Sequence, residues 1–368
     1  MSNSLVTINL VVLNGEKYIH RCLSSVLAQT YSHDQIEINI LDNGSTDETK
    51  DIIRNWELGM AIKATARLHA VVGNSSFATL NFIESGQNLG MWPGHEELLK
   101  HSAGKYVIVL SVDVILDKDF ISNTVRVMDK DEKIGALQAK IYSYNIGDVG
   151  EGELSKEIID TCGFKIFKSR RIINIGHGEK DDGRFNQKEE IFAVEGAVPV
   201  FRKEAFEDCR IARPSTVSGS SNEIADHDIF WYGEDLDVAW RMRVFGWKQI
   251  FVPNVIAWHD RQTTKNLRKT FGDFLRTRRG LPLRKRRLEW RNVRFTIIKN
   301  DYTINILKDL PFILKREIMM LGYIIIFEPK VLGEVPTFFR LLPKILRKRR
   351  EIMKRKVASP KEMRKWFN

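Results

Sequence analysis

Four short apolar runs, each followed by polar turn residues, organise the first 115 positions of the chain. As predicted strands they span Val6–Leu13, Ile36–Leu41, Phe77–Ile83 and Tyr106–Leu110. The apolar spacing between them predicts helices over Glu16–Gln29, Asp47–Trp56 and about Gly94–His101. Strands that alternate with helices in this way favour an α/β fold with a mostly parallel, doubly wound sheet.

Polar residues follow the carboxyl ends of these strands, where open α/β sheets bind their ligands. Asn14 follows the first strand, Asp42 the second, and Ser111 and Asp113 the fourth. Asp113 is a candidate contact for a metal or nucleotide, and Asp42 for a base or ribose. Each aspartate could instead cap a turn or helix. No glycine-rich phosphate-binding fingerprint follows the first strand, which argues against a dehydrogenase or P-loop enzyme.

The middle of the chain is less regular. Strands are predicted at Ile134–Tyr144, Asp160–Lys168 and Ile191–Phe201, the last with a break at Glu195-Gly196-Ala197, where Gly196 and Ala197 are small. These small residues would let a sugar approach the backbone closely, although a β-bulge without a ligand would look the same. The loop around His177 is rich in Gly, Asp and Asn, which is more typical of a solvated loop than of a metal site.

The segment from Trp231 to Trp247 is the second informative stretch. Gly233 frees a turn, and Glu234, Asp235 and Asp237 then lie in the first turn of a predicted helix. The helix dipole favours acids there, which is the structural explanation for any one of them. Three acids beside Trp231, an aromatic suited to a sugar-binding wall, favour a functional role.

Composition and charge divide the chain in two. With 43% hydrophobic residues it can bury a sizeable core, and its three widely spaced cysteines indicate neither a disulfide framework nor a zinc ribbon, so we expect a reducing, cytosolic setting. Positions 261–368 hold 30 Lys and Arg against 9 Asp and Glu, whereas positions 1–260 hold 28 against 38. The basic tail therefore predicts a surface for an anionic partner.

Amphipathic helices are predicted within this tail. Its longest apolar run, Ile318–Phe327, is well short of the roughly 20 residues that span a bilayer. Basic amphipathic helices fit the headgroup plane of an anionic membrane. A helical hairpin docked on the body or on a second subunit is the alternative. Since no nucleic-acid-binding motif is present, no nucleic-acid partner is expected.

Five motifs together resemble the inverting glycosyltransferases of family 2, which have the GT-A fold. In chain order these are Asn14, the DNGSTD run from Asp42, the QNLG run from Gln87, the SVDV run from Ser111 and the Glu234-Asp235 pair. The resemblance covers about Val6 to His259 and is strongest for bacterial rhamnosyltransferase-like members. It implies transfer of a sugar, such as rhamnose, from a nucleotide sugar to a glycan or lipid-linked acceptor in surface polysaccharide assembly.

The resemblance also implies roles for single residues. Leu13, Asn14, Asp42, Asn88 and Ser111 would lie near the nucleotide, although Ser111 stands where many relatives have Asp or Asn. Asp113 and His259 would hold Mg²⁺ or Mn²⁺ on the diphosphate; taken alone, a histidine after the predicted strand Lys248–Trp258 is more often structural. Asp235 would be the catalytic base and Glu234 would position the acceptor, with Gly196, Ala197 and Trp231 on the acceptor side.

The resulting prediction is a catalytic domain over positions 1–262, with a nucleotide-binding half (1–115) and an acceptor-binding half (116–262), followed by a basic helical tail over 263–368. The tail would contact the inner face of the plasma membrane or form a homo-oligomer. The alternatives are a nucleotidyltransferase on a similar sheet and a non-catalytic carbohydrate-binding or scaffold protein.

Overall fold

A large, curled sheet forms the centre of the protein. The computed structural model describes residues 4–56, 77–147, 154–212, 222–229, 231–261 and 271–368. The strands of the large sheet run in the order β10, β14, β6, β11, β4, β1, β2, β3, with β5 added to β14 and β7 to β6. The strands are β1 (Val6–Val12), β2 (Ile36–Asp42), β3 (Thr79–Glu84), β4 (Tyr106–Leu110), β5 (Val114–Leu116), β6 (Ile134–Ser143), β7 (Ile159–Thr161), β8 (Phe164–Ile166), β9 (Ile172–Asn174), β10 (Glu189–Glu190), β11 (Val200–Arg202), β12 (Ile211–Ala212), β13 (Asn222–Glu223) and β14 (Lys248–His259).

Helices cover the sheet and build the tail. They are α1 (Glu16–Leu27), α2 (residues 49–56), α3 (Met91–Leu99), α4 (Phe120–Met128), α5 (Lys203–Asp208), α6 (Glu234–Val244), α7 (Phe271–Gly280), α8 (Leu283–Asn300), α9 (Thr303–Lys308), α10 (Leu310–Phe327), α11 (Val335–Lys354) and α12 (Pro360–Arg364), with 3₁₀ helices at His33–Gln35 and Pro329–Glu334. The four predicted strands of the first 115 residues are confirmed, as are the helices between them.

The long strands all point the same way. β1 is parallel to β2 and β4, β2 to β3, and β6 to β14. The short β11 is antiparallel to both β4 and β6, so those two strands also run in one direction. Their carboxyl ends therefore meet at one edge of a mostly parallel sheet, as predicted.

β4 shows why the sequence specifies a strand that is buried on both faces. Tyr106, Ile108 and Leu110 pack into one hydrophobic cluster, whereas Val107 and Val109 pack into the other. Alternate side chains of a strand point to opposite faces, so a continuous apolar run is required when helices cover both.

A polar ladder inside the sheet adds to its register. Asn9, Asn39 and Asn81 face one another on β1, β2 and β3. The Asn39 amide donates to Asn9 Oδ1 over 3.1 Å, and the Asn81 amide to Asn39 Oδ1 over 2.8 Å. A shift of one residue would leave buried amides unpaired, which is costly.

The predicted strand over Ile191–Phe201 is wrong for most of its length, because β11 forms only at its end. The backbone N–H of Val194 donates to the Gln249 side chain over 3.0 Å, and that of Glu195 donates to the Gln138 side chain over 2.8 Å. Side-chain amides thus take the place of a strand ladder. The strand predicted at Asp160–Lys168 is likewise divided, into β7 and β8.

The tail docks on the body through a buried ion network, defined as Asp226, Asp237, Arg241, Lys299 and Lys348. Asp237 of α6 accepts hydrogen bonds from Arg241 over 2.6 Å and from Lys299 of α8 over 2.8 Å. Lys348 of α11 pairs with Asp226 at 2.5 Å. Both lysines are almost completely buried. Part of the tail's positive charge is therefore neutralised inside the protein, so it is not available to an external anion.

The sequence left two possibilities open for the tail, contact with a membrane and docking on the body or on a second subunit. The buried ion network shows that part of the tail docks on the body. The predicted domain boundary at 262/263 lies outside the described residues, and the division into domains stays a prediction. Among the residues that the structure describes, no helix has both the length and the apolar character needed to cross a membrane.

Candidate active site

Two adjoining cavities lie at the carboxyl edge of the sheet. The larger, about 690 Å³, is lined by eight of the predicted residues: Ser111, Asp113, Gly196, Ala197, Trp231, Glu234, Asp235 and His259. The smaller, about 290 Å³, is lined by Leu13 and Asn88 and shares Trp231 and Glu234 with the first. Asp113 and Asp235, which are distant in the sequence, thus face one space.

The remaining two predicted residues, Asn14 and Asp42, line neither cavity and instead build the turn beside the smaller one. Asn14 has a φ of 51°, and its side-chain oxygen accepts from the backbone of Thr46 over 2.9 Å. Asp42 is 1% exposed, and its carboxylate accepts from the backbone N–H groups of Gly44 and Ser45, each at 3.2 Å. These contacts are the turn chemistry that the sequence left as an alternative; direct contact of either side chain with a nucleotide stays a prediction.

Gly44 joins the DNGSTD turn to the QNLG segment. It has a φ of 86°, and a methyl group added there would lie 2.9 Å from the carbonyl carbon of Gln87. Next to it, the Asn43 amide donates to Asn88 Oδ1 over 3.1 Å. The two motifs therefore form one wall of the smaller cavity.

Asp113 and His259 come together at the edge of the larger cavity. His259 Nε2 lies 3.4 Å from Asp113 Oδ2, and His259 Nδ1 lies 2.9 Å from Asp160 Oδ2. Burial alone would lower the pKa of His259, but the hydrogen bonds to the two carboxylates outweigh it and raise that pKa to about 10. In metal-ligating histidines, a carboxylate typically binds one ring nitrogen and so orients the other toward the metal. The His259 ring has this orientation, with Nδ1 on Asp160 and Nε2 facing Asp113.

Asp160 also connects this pair to the far side of the cavity. Arg261 donates to both Asp160 oxygens, over 2.6 and 2.8 Å, and to Glu195 over 2.8 Å. Glu195 in turn accepts from the Ala197 backbone over 3.0 Å. A continuous chain of charged groups thus runs from Asp113 to the loop that carries Gly196.

Asp235, the predicted base, rests on that loop. Its Oδ2 accepts from the Gly196 N–H over 3.2 Å, and its Oδ1 from the Leu236 N–H over 2.7 Å. A methyl group on Gly196 would lie 3.0 Å from Oδ2, so the glycine makes room for this carboxylate. Burial and the charge of Glu195 raise the pKa of Asp235 to about 6.

Glu234 has a different environment from its neighbour. It is 7% exposed, and its Oε2 has no hydrogen-bond partner among the described residues. Burial and the charge of Asp235 raise its pKa to about 8. At neutral pH Glu234 is therefore mainly a neutral acid that can donate a hydrogen bond, whereas Asp235 is mainly ionised.

Backbone strain accompanies this pair of acids. Trp231, Tyr232 and Gly233 have φ values of 62°, 70° and 101°, a left-handed conformation that aromatic residues rarely adopt. The buried side chain of Asn292, on α8, donates to the carbonyls of Trp231 and Tyr232 over 2.8 and 2.9 Å. The tail thus holds the strained turn that presents Glu234 and Asp235.

Comparison with known proteins identifies the family. The model of the family described as Glycosyl transferase family 2 matches residues 7–210, more than half of the chain. The chain belongs to glycosyltransferase family 2. This membership confirms the resemblance drawn from the motifs and argues against a nucleotidyltransferase.

Relatives of this family 2 member are distant. The poly-β-1,6-N-acetyl-D-glucosamine synthase of Staphylococcus aureus strain COL is 23% identical over 194 residues, 48% of this chain and 42% of that protein. Glycosyltransferase GlyA of Streptococcus pneumoniae serotype 4 is 26% identical over 145 residues, 38% of this chain and 17% of that protein. These matches cover less than half of either relative's length.

Solved structures support the GT-A fold. A mannosyltransferase from Pyrobaculum calidifontis, in complex with GDP-Man and Mn²⁺, has a TM-score of 0.50 at 15% identity, over 94% of this chain and 76% of that one. GalNAc-T7 with UDP, GalNAc and Mn²⁺ has the same score and identity, over 80% of this chain and 50% of that one. Likeness at this level shows the fold alone.

Several residues of this family 2 site were missed by the sequence analysis. Asp160 was considered only as the start of a strand, and Arg261 and Asn292 not at all for the site. Arg261 could have been found from its position, because it lies two residues after His259, just beyond the end of β14. Asp160 gave no local signal, because its role comes from a contact with His259, 99 positions away. Asn292 belongs to an Arg-Asn…Lys-Asn segment that also resembles the family, but its contact with the turn at Trp231 was not predicted.

Proposed function

We propose that this protein is an inverting, metal-dependent glycosyltransferase. It moves a sugar from a nucleoside diphosphate sugar to a hydroxyl group of a glycan or lipid-linked acceptor in polysaccharide assembly. The observation that carries the proposal is the placement of Asp113 and Asp235 on one cavity of about 690 Å³. One acid marks the side of the leaving diphosphate, and the other marks the side of the attacking hydroxyl.

The donor's nucleoside fits the smaller cavity, beside Leu13 and Asn88. The mannosyltransferase and GalNAc-T7 structures described above were solved with GDP-Man and UDP, which supports this donor class. Rhamnose is proposed as the sugar from the motif resemblance.

Asp113 and His259 would hold the cation. A carboxylate oxygen and an oriented imidazole, whose Nε2 proton the cation would displace, suit Mg²⁺ or Mn²⁺. No group of three or more potential ligands occurs in the described ranges, so donor oxygens and water would complete the shell. When bound, the cation neutralises the negative charge that develops on the leaving diphosphate. Asp160 keeps His259 Nδ1 occupied, so that Nε2 faces Asp113.

Asp235 performs the proton transfer. Inversion is a single displacement, which requires one base on the face opposite the leaving group. The ionised Asp235 carboxylate takes the acceptor's proton, while the neutral Glu234 donates a hydrogen bond that orients the acceptor. Trp231, 51% exposed, offers a flat surface on which a sugar ring can stack.

A panel of nucleotide sugars tests the proposal. In the presence of Mn²⁺, we expect one donor, with nucleotide-activated rhamnose tried first, to raise the melting temperature and to be hydrolysed or transferred. The same donor without Mn²⁺ should protect less. A protein that is protected by free glycans but by no nucleotide sugar would be the carbohydrate-binding alternative.

The outer face of α10 carries a second part of the proposal, attachment to an anionic membrane surface at the inner face of the plasma membrane. Leu314, Ile318, Leu321 and Ile325 form one stripe along the helix and are 49%, 68%, 50% and 55% exposed. The exposed Lys308, Lys315 and Lys330 lie on or next to the same helix. Apolar side chains beside cations suit the headgroup region of an anionic bilayer.

The double variant I318E/I325E should weaken binding to phosphatidylcholine–phosphatidylglycerol vesicles by more than about tenfold, because two apolar side chains would no longer enter the bilayer. V357E is the matched control, since Val357 is 73% exposed elsewhere on the tail. Co-sedimentation measures the effect. Equal vesicle binding by both variants would contradict membrane attachment, and a change of mass in solution for I318E/I325E alone would indicate a homo-oligomer contact instead.

A further inference from the structure

The larger cavity has walls of opposite charge. On the sheet side it is lined by Asp113, Glu195, Glu234 and Asp235, with His259 and Arg261 among them. On the tail side, its described charged lining residues are Arg278, Lys285, Arg294 and Arg316 and one acid, Glu289. The tail therefore contributes a cationic wall to the same space that holds the proposed catalytic residues.

Among the residues that the structure describes, two cations of this wall share a single counter-charge. Arg278 pairs with Glu289 at 2.7 Å and with Glu328 at 3.0 Å. Arg294 and Arg316, in contrast, share one carboxylate: Glu317 lies 2.5 Å from Arg294 and 2.9 Å from Arg316. One glutamate between two guanidinium groups leaves a net positive charge on the wall.

Burial makes this excess charge costly. The side chains of Arg294 and Arg316 are only 17% and 20% exposed. Burial lowers the pKa of both, and the positive charges of Arg294 and Arg171 lower that of Arg316 further. A second anion would relieve this repulsion, and guanidinium groups bind phosphate oxygens in a paired, planar geometry.

The surroundings of the two arginines indicate which substrate would bring the anion. The donor's diphosphate belongs to the sheet side, at Asp113. The arginines lie on α8 and α10 among Trp290, Val293, Met320 and Ile324, and α10 turns its other face outward. A phosphate on this wall therefore belongs to the acceptor.

We propose that Arg294 and Arg316 form a binding subsite for a phosphate ester of the acceptor. The inference rests on the proposed function and names the acceptor class, a phosphorylated molecule. Its phosphate could be attached to a lipid chain or to a soluble glycan, and the chemistry of recognition is the same in both cases.

Inorganic phosphate, titrated into metal-free protein at constant ionic strength, tests the subsite without turnover. We expect phosphate to raise the melting temperature of the wild type. The double variant R294Q/R316Q should raise the apparent Kd for phosphate at least about tenfold, because charged hydrogen bonds are lost. E317Q should have the opposite effect and lower the Kd several-fold, because it removes the internal competitor. R350Q, an exposed arginine on α11, should match the wild type.

Phosphate protection that is unchanged in both R294Q/R316Q and E317Q would overturn the subsite. If R294Q/R316Q does not fold, the E317Q result alone decides. Protection by the donor with Mn²⁺, measured on the same proteins, separates the two proposals. If no donor protects the wild type, the proposed transferase activity is contradicted. If donors protect it but phosphate does not, only the phosphate subsite is contradicted. If farnesyl phosphate protects at a lower concentration than glycerol 3-phosphate, the acceptor's phosphate is attached to a lipid. If the two compounds protect at the same concentration, it is attached to a soluble glycan.

Discussion

Asp235→Asn should reduce sugar transfer by at least about 10²-fold to 10⁴-fold, the contribution typical of a positioned general base. The amide keeps the shape of the carboxylate but cannot accept the acceptor's proton. Donor affinity should stay close to that of the wild type, because Asp235 lies on the acceptor side, next to Gly196. Initial rates and donor Kd, measured separately, check the prediction. Near-normal turnover would show that Asp235 is not the catalytic base.

Glu234→Gln is the matched control, on the adjacent residue. Because the pKa of Glu234 is raised to about 8, its side chain is already mainly neutral at pH 7. Glutamine retains a hydrogen-bond donor there, so we expect a much smaller loss than for Asp235→Asn. An equal or larger loss would indicate that the base had been assigned to the wrong acid.

The pH dependence gives a second check on the same base. The pKa of Asp235 is raised to about 6 by burial and by Glu195. The carboxyl group acts only when ionised, so kcat/KM should fall as the pH drops through about 6 and stay level above it until about pH 8, where Glu234 loses its proton. In Asp235→Asn, the residual kcat/KM should not fall as the pH drops through about 6.

Asp113→Asn should have the second largest effect, a loss of about 10²-fold or more in the presence of Mn²⁺. An amide oxygen without negative charge is a poorer ligand for a hard cation, and the leaving diphosphate would then lose its stabilisation. A chelator should abolish transfer in the wild type, and Mn²⁺ should restore it. Metal titrations of activity measure both effects; wild-type turnover that a chelator leaves unchanged would contradict the metal-dependent mechanism.

His259→Ala should raise the Mn²⁺ concentration needed for half-maximal activity, because one proposed protein ligand is lost. Asp160→Asn should act in the same direction but less strongly, since it only loosens the orientation of His259. His101→Ala is the control, because His101 is exposed and lines neither cavity. The same metal requirement in His259→Ala and in His101→Ala would show that His259 is not a ligand.

Local patterns in the sequence were the most reliable guide to the fold. The apolar run of β4 predicts a buried strand, which is confirmed. The residues after β1, β2 and β4 form or adjoin the two cavities, and their contacts with a ligand stay predictions. The strand predicted at Ile191–Phe201 from its apolar residues is wrong for most of its length. There the side chains of Gln138 and Gln249 take the backbone hydrogen bonds, and no local pattern reveals such partners.

The sequence by itself determined the order of strands and helices, the turns at the sheet's carboxyl edge and the family, because apolar periodicity and turn chemistry depend on neighbouring residues. Only the tertiary structure brought Asp160 to His259, placed Asn292 on the strained turn before Glu234, and spread the tail's arginines between buried ion pairs and the cavity wall. These arrangements depend on burial and on contacts between distant segments. Charge and pKa follow from such surroundings, whereas composition counts only the groups.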